Sequence, residues 1–109
     1  MTFEQALPYI KEGRVYTRLA WGVVTVNKVI FRQNNNSVPA DVVPKMTSLP
    51  QEAKNLFAKE NLATLNYGNQ VIMMDTDTGN CKNYIPDWED IFADDWYWVD
   101  KAADNVYFQ

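Results

Sequence analysis

The sequence predicts a small α+β domain: an antiparallel β-sheet with an N-terminal helix, a middle helix and a short C-terminal helix packed around it. Three observations lead there. Phe3, Ala6, Leu7 and Ile10 share one helical face at the start of the chain. A long β-branched run, Val23 to Arg32, and a hairpin signal around Asp77-Thr78-Gly79-Asn80 point to paired strands. The stretch Tyr84 to Trp96 reads as a capped single-turn helix feeding a final aromatic strand.

Each element follows from local chemistry. Thr2 with Gln5 fits a capping box, in which two otherwise unpaired backbone amides are satisfied reciprocally. Gly13 is a plausible C-terminal stop. Pro8 conflicts with this helix because it lacks the amide that should bond to Glu4, so a kink or a tight first turn is expected. Arg14 to Ala20 follows as a strand, Gly22 permits a bend, and Val23 to Arg32 forms a longer strand. Gln33 to Ser37 is a polar loop.

The middle, Val38 to Asn61, is broken by Pro39, Pro44 and Pro50. Ser48-Leu49-Pro50-Gln51 is a helix start with Ser48 as cap. The helix should run to about Lys59 with Leu49, Ala53, Leu56 and Phe57 facing inward. This reads as an insertion on the sheet edge within one domain. Leu62 to Tyr67 is a strand and Gly68-Asn69 a turn. Val71 to Asp75 and Cys81 to Ile85 form the hairpin, Asp87 caps a short helix ending near Ala93, and Asp95 to Val99 closes the sheet. The single domain spans 1–101. The tail 102–109 partly resembles a viral protease recognition sequence used to remove tags and is set aside from the fold.

Composition narrows the function. A chain of 109 residues makes one domain with a small core. Four Trp, six Tyr and five Phe exceed what such a core needs, so some must line a pocket or an interface. The net charge is −4, and residues 87–100 carry Asp87, Glu89, Asp90, Asp94, Asp95 and Asp100 without a Lys or Arg. That run argues against duplex nucleic acid, which needs basic patches. It leaves room for a small anionic ligand, since one pocket needs only one or two cations. A lone Cys81 suits a reducing compartment. No apolar run approaches the roughly 18 residues of a membrane span, so a soluble cytoplasmic protein is expected, with no membrane partner.

Catalysis is not expected. The chain has no His, the usual general base at neutral pH. Cys81 lacks a basic partner and reads as a small strand residue. No phosphate loop, dinucleotide fingerprint or metal spacing is present. Asp94-Asp95, alone or with Asp87 and Asp90, could hold magnesium, but solvated helix caps explain them better. No cofactor and no metal are expected.

Binding is the better reading. Arg18 and Trp21 flank the end of the first strand. Three apart, they would face opposite ways in a strict strand, but a bend at Ala20 or Gly22 would bring both to one rim. A guanidinium grips a phosphate in a fork, and an indole stacks on a base. An equal alternative makes Trp21 a core cap and Arg18 a surface or salt-bridged residue. Trp88 opens the helix after Asp87, where free amides favour an anion. It forms a pocket wall or staples the helix to the sheet. Tyr84 precedes Pro86 and lies near the same helix start. Trp96 and Trp98 share one strand face, Trp96 in the core and Trp98 in the core or an interface.

The opening Phe3-Glu4-Gln5-Ala6-Leu7, Lys11-Glu12-Gly13 and Arg18-Leu19-Ala20-Trp21, with the closing Pro86-Asp87-Trp88-Glu89-Asp90-Ile91-Phe92-Ala93-Asp94-Asp95-Trp96, resembles the Thoeris anti-defence proteins of the second type. Where members of that family often have Trp, two residues before the Pro, this chain has Tyr84. The middle helix also looks longer than the typical middle segment. The resemblance implies a phage-encoded sponge that binds cyclic ADP-ribose variants without cleaving them, working in the host cytoplasm. It implies a homotetramer with ligand pockets between protomers. It carries over Arg18, Trp21 and the Pro86-Asp87-Trp88 turn as near-site residues. Tyr84 and Asn27 are added as readers of ribose edges. The alternative is an acidic protein–protein module that blocks a host factor, and a weaker third is a phosphodiesterase.

Overall fold

The computed structural model describes residues 1–22, 27–99 and, for the backbone alone, 100 and 106–108. The chain divides into two compact units, residues 1–33 with 70–109, and residues 34–69.

The first unit begins with α1, Phe3–Glu12. The capping box forms as the sequence predicts: the Thr2 hydroxyl accepts the Gln5 amide at 3.3 Å, and the Gln5 side chain accepts the Thr2 amide at 2.9 Å. Gly13 ends the helix in the left-handed region at φ 109° and donates its amide to Ile10. Pro8 lies inside the helix on its exposed side, where one missing bond does not interrupt the element.

The strands are β1 (Tyr16–Arg18), β2 (Lys28–Gln33), β5 (Gln70–Asp75), β6 (Cys81–Asn83), β7 (Trp96–Asp100) and β8 (Val106–Phe108). They form one sheet in the order β6-β5-β2-β1-β7-β8, with antiparallel pairings throughout. Asp95 to Val99 was expected to be the last strand. Instead the tail set aside above adds β8 beside it. The first strand is shorter than its sequence suggests. It stops at Arg18, and Leu19–Trp21 turns as a 3-10 helix. Asp95 explains the stop: its carbonyl accepts the Leu19 amide and its carboxylate accepts the Ala20 amide at 3.0 Å. Of the expected strand Val23 to Arg32, residues 23–26 lie outside the described residues, and the rest pairs from Lys28 onward.

Register fixes which side chains share a face. Tyr16 stands opposite both Ile30 and Trp98, Arg18 opposite Trp96, Ile30 opposite Met73, and Met73 opposite Lys82. With a side-chain period of two, Lys28 joins this face through Ile30. Ala6 and Ile10 of α1 pack on its centre against Tyr16, Ile30, Tyr84 and Trp96. Trp96 is completely buried, with Phe3 at 5.3 Å and Trp21 edge-on at 5.2 Å between ring centroids.

The second unit holds the hairpin of β3 (Asn36–Pro39) and β4 (Thr64–Tyr67), with α2 (Gln51–Lys59) between them in sequence. Part of the expected Asn-rich loop is therefore strand. Ser37 and Asn66, cross-strand partners, bond side chain to side chain at 2.8 Å. Helix α2 runs to Lys59 as predicted, but Pro50 rather than Ser48 occupies its cap position, without a side-chain bond. Of its expected inward residues, Phe57 is buried and Leu49 packs beside it, whereas Ala53 and Leu56 are exposed. Val38, Val43 and Phe57 make a core too small to cover the whole helix face. Asn61 closes the helix at positive φ, a conformation Asn tolerates well.

Candidate functional site

The site grows from α3, Trp88–Phe92. Pro86 follows the β6 edge, and Asp87 then caps the helix, its carboxylate accepting the Asp90 amide at 2.9 Å. This cap turns the Asp90 side chain toward the sheet. One Asp90 oxygen accepts Arg18 Nη1 at 2.8 Å, and the other accepts the Tyr84 hydroxyl at 2.7 Å. The Asp90 backbone carbonyl accepts the Trp96 indole N–H at 2.9 Å. Asp95 completes the clamp by accepting Arg18 Nε at 2.8 Å.

This network holds its charges firmly. Burial works against the Arg18 cation, but its bonds to Asp95 and Asp90 outweigh that penalty and push its pKa up. Burial likewise works against the Asp95 carboxylate, but Arg18 and the Ala20 amide outweigh it and hold its pKa below the usual range. Tyr84 is pushed well above its ordinary value by burial, with the Asp90 bond adding to the effect. The Arg18 fork is thus occupied by two carboxylates, which outnumber its single cation.

Beside the network lies an open recess of about 520 Å³. Trp21 and Tyr84 form one wall, their rings edge to face at 6.0 Å. Asp87, Glu89 and Asp90 form the acidic wall from the α3 side. Met73 lies between Lys28 and Lys82 on the strand side.

Of the residues the sequence singled out, Arg18, Trp21, Tyr84 and Asp87 line this recess together. Trp88 is 71% exposed and stacks on Phe92 at 5.7 Å, outside the lining. Asn27 is exposed and bonds through its carbonyl to the Thr76 amide, also outside the lining. Sequence reasoning missed Lys28, Met73, Lys82, Asn83, Ile85, Glu89 and Asp90 as lining residues. Lys28 and Lys82 sat within expected strands, but their shared face depends on cross-strand register. Asp90 had a readable signal, the third helical position after the Asp87 cap. Among the described residues, no group of three or more His, Cys, Asp or Glu is arranged to hold a metal ion.

A family model for the Tad2-like, Thoeris anti-defense 2-like domain matches residues 1–99. The chain belongs to this family. Its match spans α1 through all but the last residue of β7, so it includes every lining residue of the recess. Membership makes the chain an anti-defence domain of the Thoeris type. No curated protein sequence matches it. No helix among the described residues is long and apolar enough to cross a membrane.

Proposed function

We propose that the Tad2-like chain sequesters a small nucleotide immune messenger, a cyclic ADP-ribose variant, in this recess and holds it without cleaving it. The observation that carries this reading is the joining of an aromatic wall and charges of both signs in one hollow of about 520 Å³. That volume falls among small-molecule pockets, which typically span about 300–1,000 Å³. The Trp21 indole offers an apolar edge to a base. The acidic wall accepts ribose hydroxyl or amino donors. Asp87 and Tyr84 belong to the site directly, while Arg18 acts as the brace that sets its walls. The reading assigns no nucleophile–base pair to the recess, and so no turnover.

A sponge needs nanomolar binding, on the order of −12 kcal/mol. One stacked base supplies about 1–3 kcal/mol. A recess open to solvent therefore needs a cover. Ile85 of the recess lining is 80% exposed, and the stacked Trp88 and Phe92, an apolar cluster on α3, are 71% and 79% exposed. Such clusters mark interaction surfaces. In this reading a second copy of the chain docks there and closes the pocket within a homotetramer, in the cytoplasm of the phage-infected host.

The same cluster, flanked by Asp87, Glu89 and Asp94 in sequence, supports a second reading: an acidic-rimmed surface that blocks a host protein. Calorimetry against cyclic ADP-ribose isomers and cyclic di- and trinucleotides separates the two. Strong heat from one of them, with intact ligand recovered after heat denaturation, supports the sponge. No heat, with a host protein captured stoichiometrically, supports the second reading. Cleaved ligand would mean a phosphodiesterase.

A further inference from the structure

The brace leaves a question of charge. Arg18 shares the Asp90 carboxylate with Tyr84 of the aromatic wall, yet two carboxylates hold it. An incoming anion would meet net negative charge there. The recess has two other cations, Lys28 and Lys82, and neither makes an ion pair among the described residues. Both are exposed. Register puts them on the same sheet face, flanking Met73: Lys82 is its direct partner, and Lys28 lies two residues beyond its other partner, Ile30. Strand spacing and rise separate their Cα atoms by about 12 Å. Two flexible stems over that span can bring both ammonium groups to one polyanion. Asp75, opposite Lys28, turns a carboxylate oxygen to the Asp77 and Thr78 amides of the hairpin turn. A smaller hollow of about 220 Å³ adjoins on the hairpin side and shares Lys28, Met73 and Lys82 as lining.

We propose that Lys28 and Lys82 form the phosphoryl-binding end of the recess, specific for a ligand with two adjacent phosphoryl groups. The acidic wall on α3 then orients the ligand: phosphates toward β2 and β6, hydrogen-bond donors toward Asp87 and Glu89. A ligand with a single central negative charge would gain from one side and lose on the other. This assignment rests on the recess being the ligand site.

The test is calorimetric titration of the full chain with inorganic pyrophosphate at low salt. The comparison set is Lys28→Gln/Lys82→Gln, the charge-keeping Lys28→Arg/Lys82→Arg, and Lys59→Gln on the exposed side of α2. Each lysine should contribute about tenfold, so the double Gln variant should lose about a hundredfold in affinity. The Arg pair and Lys59→Gln should stay within about threefold of wild type. Unchanged melting temperatures confirm that all variants fold. Pyrophosphate binding that ignores the double Gln change, or no binding to the wild type, overturns the assignment. A second titration with cyclic ADP-ribose isomers keeps the two ideas apart. Messenger binding indifferent to both lysines would leave the sponge reading standing and remove this one. Pyrophosphate bound at the lysines without any messenger binding would do the reverse.

Discussion

Arg18 and Asp90 meet at 2.8 Å, although 72 positions separate them in the chain. One ends the central-sheet strand β1, and the other lies on the short helix α3. Both side chains are largely buried, at 9% and 13% exposure. Tyr84 and Asp95 bond to the same pair, so four side chains from four places in the sequence become one unit. The unit fixes α3 against the sheet and thereby shapes the recess.

Arg18→Ala should therefore act on stability first. It leaves Asp90 and Asp95 without their cation, and breaking a buried pair costs about 3–5 kcal/mol. A large fall in melting temperature is the expected outcome. A normal melting temperature with lost ligand binding would return Arg18 to direct contact with the ligand.

Tyr84→Phe removes one bond to a carboxylate that keeps its Arg18 partner. The expected cost is about 2 kcal/mol by denaturant unfolding. In the wild type, burial and Asp90 raise the folded Tyr84 pKa above its unfolded value near 10. Its contribution is thus complete below about pH 10 and fades as pH climbs beyond that. In an ultraviolet titration Tyr84 should ionise only as the protein unfolds, an increment that Tyr84→Phe removes.

At the acid end the sign reverses. Asp95 has a lowered folded pKa, so its contribution is complete above the ordinary carboxylate range. It fades as pH falls below about 4. Asp95→Asn should flatten the acid limb of the stability curve while lowering stability at pH 7. An acid limb identical to that of the wild type would deny Asp95 this role.

Trp96→Ala should unfold the domain or come close to it. The ring is completely buried between Phe3 and Trp21, and its N–H bonds to Asp90. Truncating such a residue costs about 3–5 kcal/mol.

Trp88→Ala tests a different property. The exposed indole should cost no more than about 0.5 kcal/mol of protomer stability. In sedimentation, the variant should shift from oligomer toward monomer and bind messenger more weakly. An unchanged oligomer would take Trp88 out of the proposed cover.

Much of this fold was legible because its signals are local. Thr2 with Gln5, Gly13 and Asp87 announce caps that depend on residues at most four positions away. The hairpin at Asp77 to Asn80 follows the same logic. What the sequence hid were long-range effects. Asp95 ended β1 early by bonding to Leu19 and Ala20, a contact no local pattern encodes. The lysines of the recess were hidden because strand partners, not neighbours, bring Lys28 and Lys82 to one face. Arg18 and Trp21 were singled out by their chemistry, but that the guanidinium meets carboxylates depended on Asp90 and Asp95, more than seventy positions away.

Native mass spectrometry of the purified chain with cyclic ADP-ribose isomers tests the central claim most directly. The account predicts an oligomer carrying whole, uncleaved ligand, with the added mass lost in Trp21→Ala while that variant stays folded. A monomer that takes up no ligand mass, or one that yields cleaved product, would contradict it.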